Sequence, residues 1–172
     1  MLSTFIAENY LLVRLLLIAA LVAAVVVTAI LARARHGRRI AAVLAGAGLL
    51  VIIALTLTPD TYPLDAATCN LQPYSSFTDV YNILLFLVPA LFAVVATRHP
   101  LVVLAGGIAF SAGIELAQYL VPWFGRRCDV DDWLANTLGT LVGVVLAVGV
   151  SAVAMWWDRR RAASTSSAED NE

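Results

Sequence analysis

The sequence predicts an all-α protein, a polytopic bundle of about five membrane-spanning helices. Two observations carry that expectation. The first is composition: of 172 residues, 61% are hydrophobic and 13% charged, whereas a soluble domain is about half apolar and about a quarter charged. Such a chain lacks the polar surface to coat a globule in water. The second is a series of long apolar runs without period-two alternation. Open sheet edges are forbidden in lipid, so these runs read as helices.

A helix needs ~20 mostly apolar residues to cross the hydrocarbon core. The spans fall at 11–32, 40–58, 80–97, 101–123 and 133–156. The third is the shortest and holds Pro89, which marks a kink or a relaxed backbone turn. The first has Glu8 before it, no basic residue before Arg14 and a longer apolar core than a secretory leader, so it reads as a retained helix. Residues 1–161 form the membrane domain. The tail, 162–172, is small and polar with an acidic end, and is expected to be disordered in the cytoplasm.

All 11 basic residues are arginines, too few and scattered for a nucleic-acid face. Their placement sets orientation. Arg33, Arg35, Arg38, Arg39, Arg98, Arg159, Arg160 and Arg161 fall on one side of a five-span count, and only Arg126 and Arg127 on the other. The arginine-rich side is therefore expected to be cytoplasmic, with the N-terminus outside and the C-terminus inside. Trp123 and Trp133 then mark the outer interface, and Trp156 and Trp157 the inner one.

Polar residues within spans usually face the bundle or an aqueous cavity. Here they form stripes. Asp79 and Asn82 lie three apart on the third span; Ser111, Glu115 and Gln118 occupy positions i, i+4 and i+7 of the fourth; Asp132 and Asn136 continue to Gly139 and Gly143 on the fifth. Glu115 lies about 12 Å below the outer interface at helical rise. A charged side chain there costs roughly 2.5–3.5 kcal/mol, so it should carry a proton, pair with arginine or sit hydrated. It is either a hydrogen-bonded strut that fixes packing or a group that binds ligand or handles protons.

The loop Gly125-Arg126-Arg127-Cys128-Asp129-Val130-Asp131-Asp132 gathers three carboxylates and two guanidiniums. It is either a charge-balanced cap on the fifth helix, with Asp131 and Asp132 favoured by the helix dipole, or a site in which Arg126 reaches Glu115 or an anionic head group. Cys69 and Cys128, both in outward loops, could pair or remain two thiols. Gly139 and Gly143 suit close packing within the chain, with homodimerisation second. No metal-ligand spacing, phosphate loop, nucleophile elbow or dinucleotide fingerprint occurs, so no cofactor is expected; carboxylates could recruit a hard cation, but nothing specifies one.

These residues resemble the VanZ-like family of small bacterial membrane proteins, over about 70–143. Asn70-Leu71-Gln72-Pro73-Tyr74 is similar to its Asn-Leu-x-Pro-aromatic segment, and Asn82 through Phe86 to its next helix opening. Ser111, Ile114, Glu115 and Gln118 match S-x-x-I-E-x-x-Q. Arg126, Asp129, Asp131, Asp132, Asn136 and Gly139 complete the ordered set. Where the family continues Phe-x-Pro-x-Gly, this chain has Phe86-Leu87-Val88-Pro89-Ala90, which moves any kink by about 100° around the helix. The resemblance implies a bacterial cell-envelope protein linked to teicoplanin-type antibiotic resistance.

Three functions compete. One is a non-enzymatic protein that binds or shields an envelope-lipid head group or glycopeptide at the outer face, through Asp79, Asn82, Ser111, Glu115, Gln118, Arg126, Asp129, Asp131, Asp132 and Asn136. Another is an intramembrane enzyme on a lipid-linked substrate, with Glu115 as general acid or base. The third is a small proton-coupled transporter carrying protons on Glu115, for which a homodimer could be needed.

Overall fold

The computed structural model describes residues 9–59, 66–72 and 80–169. Within them five helices are long and apolar enough to cross a membrane: α1 (Tyr10–Arg33), α2 (Gly37–Leu57), α3 (Val80–Thr97), α4 (Pro100–Leu120) and α5 (Val130–Glu169). Two short strands, β1 (Cys69–Asn70) and β2 (Cys128–Asp129), pair in parallel, with Cys69 opposite Cys128 and Asn70 opposite Asp129. Asp79, and Pro73 and Tyr74 of the resemblance, lie outside the described residues.

The ends of α4 and α5 differ from the sequence expectation, each for a local reason. Helix α4 stops at Leu120 rather than near 123, because Pro122 drives Val121 out of the helical region, to φ −123° and ψ 76°. A single 3₁₀ turn, Pro122–Phe124, follows and ends on Gly125, whose φ of 68° is cheap only for glycine. Helix α5 begins at Val130 and runs to Glu169, past 156 and into the segment expected to be a disordered tail. From Asp158 to Glu169 there is no glycine or proline, and arginine and alanine are strong helix formers, so nothing in the sequence breaks the helix.

Helix α3 is the hub. In its most apolar window 44% of residues are buried, against 17% in α1, α2 and α4, and its packing is most extensive with α5 and α2. Leu87, Leu91, Val94 and Val95 of α3 meet Ala41 and Ala45 of α2 and Val144 and Ala147 of α5 in the main core. Small residues permit these approaches. A Cβ on Gly139 would lie 2.2 Å from the Ile83 carbonyl oxygen, and one on Gly143 2.5 Å from that of Leu87. The glycine step of α5 is thus filled by α3 within the same chain. Pro89 sits in a notch left by Gly48 of α2, where a Cβ would come within 2.6 Å of its ring.

The outward faces are aliphatic. Leu11, Leu15, Ile18, Val22, Val26 and Ile30 of α1 are all exposed, as suits contact with acyl chains. The chain is a multi-pass membrane protein. Polar bonds join the helices at both ends. Asn82 of α3 bonds Asp132 of α5 at one end; at the other, Arg33 of α1 lies 3.5 Å from Asp158 of α5.

Candidate functional site

The i, i+4, i+7 spacing turns Ser111, Glu115 and Gln118 onto one face of α4. All three are buried, Glu115 with 9% of its surface exposed, while Leu116, Tyr119 and Leu120 on the other face are exposed. Each buried group meets a partner from another element. Ser111 Oγ accepts from Asn136 Nδ2 of α5 at 3.0 Å. Gln118 Nε2 donates to the Thr56 carbonyl of α2 at 3.0 Å. Glu115 Oε2 accepts the backbone N–H of Asp129 at 2.7 Å.

Asp129 organises the charged loop. Its Oδ1 accepts the Asp131 N–H at 2.9 Å, capping the N-terminus of α5, and its Oδ2 accepts from Asn70 Nδ2 at 3.2 Å. A disulfide between Cys69 and Cys128 closes the same junction. The loop between α2 and α3 is therefore fastened to the start of α5, directly above Glu115. Asn82 Nδ2 adds a bond to Asp132 Oδ1 at 2.7 Å, tying α3 to the first turn of α5.

Arg126 does not pair with Glu115. Its Nε donates instead to the Thr58 carbonyl at 3.2 Å, where α2 ends. The last carbonyls of a helix lack internal partners and carry partial negative charge, so a guanidinium is well placed there. With Gln118 on Thr56, two of the candidate side chains complete the end of α2. No side-chain pattern announces a carbonyl acceptor, so the sequence did not mark Thr56 or Thr58.

Asn82, Glu115, Gln118, Arg126, Asp132 and Asn136 all line one cavity of about 420 Å³. Its remaining wall is largely aliphatic and includes Leu17, Ala20 and Leu21 of α1 and Leu55 of α2. Ser111 and Asp129 stand behind this wall, holding Asn136 and Glu115. Asp131 lies on the loop side, engaged through its backbone with Asp129. Two buried amide oxygens, Gln118 Oε1 and Asn136 Oδ1, accept no hydrogen bond within the protein. The cavity thus offers a guanidinium, carboxylates and amides beside a hydrocarbon-like surface.

The VanZ/LLP1 family model matches residues 45–153. That stretch runs from within α2, at residue 45, to within α5 and leaves out α1. No curated protein and no solved structure matches the chain. The match takes in every residue that lends a polar side chain to the cavity, and the chain belongs to the VanZ/LLP1 family.

Proposed function

We propose that this protein binds the polar head group of an envelope lipid in the cavity beside Glu115, at the outer face of a bacterial cell membrane, without transforming it. The observation that carries the reading is the convergence of six polar side chains from α3, α4, α5 and the charged loop on one hollow. The volume lies within the range of small-molecule sites, about 300–1,000 Å³. Arg126 matches an anionic phosphate or carboxylate by charge-assisted bonds. Asn82, Gln118 and Asn136 on the same wall give the cavity a neutral polar lining for hydroxyl or amide groups of that head group. The aliphatic wall suits the upper part of an acyl chain. Glu115 has one oxygen committed to the loop, which favours an anchoring role over free proton exchange. Shielding of such a head group would be the route by which the protein affects teicoplanin-type drugs.

A photoreactive residue at Leu55, on the cavity wall, tests this in membranes. The expected adduct is a lipid with a polar, hydroxyl- or amide-bearing head group, identified by mass spectrometry. Arg126→Gln should cut its capture by about tenfold, since a hydrogen bond to a charged group contributes about 1.5–3 kcal/mol. Bulk phospholipid in the adduct, or capture indifferent to Arg126→Gln, would defeat the reading. Chemically altered lipid after incubation with purified protein would replace it with the enzymatic one.

A further inference from the structure

A second cavity, also about 420 Å³, lies at the other end of the bundle, between the α1–α2 turn, the α3–α4 turn and α5. Arg33, Arg35, Arg38 and Arg98 line it, with Asp158 as the one carboxylate. Its inner wall is aliphatic, formed by Val94, Val95, Val148 and Met155 among others. An excess of arginine at one membrane face serves orientation during insertion, but that role requires neither a hollow nor convergence on it from both the α1–α2 and the α3–α4 junctions.

Two of the guanidiniums are fixed in place. Arg33 Nη2 donates to the Ala154 carbonyl at 3.2 Å, and its Nε lies 3.5 Å from Asp158 Oδ1. Arg38 Nε donates to the Ala96 carbonyl at 3.1 Å. A guanidinium carries five N–H donors, so both retain donors for a ligand. Arg98 is held by the backbone: at φ 61° it is the one non-glycine residue with positive φ among the described residues. That conformation costs an L-residue about 1 kcal/mol or more and a glycine almost nothing. The turn itself would be better served by glycine, whereas the cavity gains a fourth cation.

We infer that this cavity binds a phosphate group, carried by a membrane phospholipid whose acyl chain lies on the aliphatic wall or present as the free anion. Guanidiniums match phosphate oxygens by forked hydrogen bonds, and basic pockets between helices are suited to anionic head groups. The site is separate from the cavity beside Glu115 and does not depend on what that cavity holds.

The test uses the full chain purified in an uncharged detergent. Binding is read by native mass spectrometry and thermal stabilisation with phosphatidylglycerol, phosphatidylcholine and inorganic phosphate. Phosphatidylglycerol should bind in preference to phosphatidylcholine, and Arg35→Gln and Arg98→Gln should each weaken it about fivefold. Arg159→Gln and Arg161→Gln, each removing the same single charge outside the cavity, should leave the affinity unchanged. Arg98→Gly relieves the backbone, so it should lose affinity while unfolding no earlier than the parent chain. Inorganic phosphate that competes fully with the lipid would assign the free anion as ligand. Equal affinity for both lipids without phosphate binding, or equal weakening by the charge-matched variants, would overturn the inference.

Discussion

Gly139→Leu is expected to cost about 3 kcal/mol or more, enough to leave little folded protein in detergent. The reason is the nature of what blocks the new side chain. A Cβ at 139 would lie 2.2 Å from the Ile83 carbonyl oxygen and 3.0 Å from its Cα, so backbone, not a movable side-chain tip, must give way. Helices α3 and α5 would separate where Asn82 and Asp132 join them, and the cavity would widen with them. Gly113 supplies the control, since nothing lies within 4 Å of a Cβ built there. Gly113→Leu should unfold at nearly the parent temperature in size-exclusion or fluorescence thermal assays. Equal loss from the two variants would show that the close approach of α3 and α5 is not what holds the bundle.

Cys128→Ser is expected to produce the second large effect. The bridge to Cys69 spans a sequence separation of 59, and a loop of that size corresponds to about 4 kcal/mol of closure entropy, an upper bound for ends already held by membrane helices. For a chain of this length the unfolding midpoint should fall by about 16 °C at most. Reductant should lower the parent's midpoint by the same amount and leave the variant's unchanged. The effect should extend to the cavity, because Cys128 precedes Asp129, whose N–H holds Glu115. Lipid capture from position 55 should therefore weaken in Cys128→Ser even at temperatures where the helices remain intact. Unchanged stability on reduction would mean that the Asn70–Asp129 bond and the strand pairing suffice at this junction.

The spans and the polar stripe of α4 are legible in the sequence because both follow from period and length. Ser111, Glu115 and Gln118 had to share a face whatever the neighbours, and burial of all three follows from the lipid outside. Partner choice was not legible. That Asn136 meets Ser111, and Asn82 meets Asp132, depends on the rotation and tilt of whole helices, which glycine notches set through contacts far apart in sequence. Arg126 illustrates the limit best. Carboxylates are the obvious partners for a guanidinium, yet its Nε binds a main-chain oxygen of α2 that any residue could have supplied. Pro89 is similar: one position of displacement suggested a rotated kink, whereas the structure places the ring in the space beside Gly48.

Helix α1 lies outside the matched family stretch, yet Leu17, Ala20 and Leu21 help to line the cavity of Glu115. Every polar group there comes from the remaining elements. Discrimination between hydrocarbon tails and discrimination between charged moieties would then reside in different parts of the chain. Exchanging these three aliphatic residues for bulkier ones should alter which chain lengths are accepted while leaving the chemical identity of the bound anion untouched.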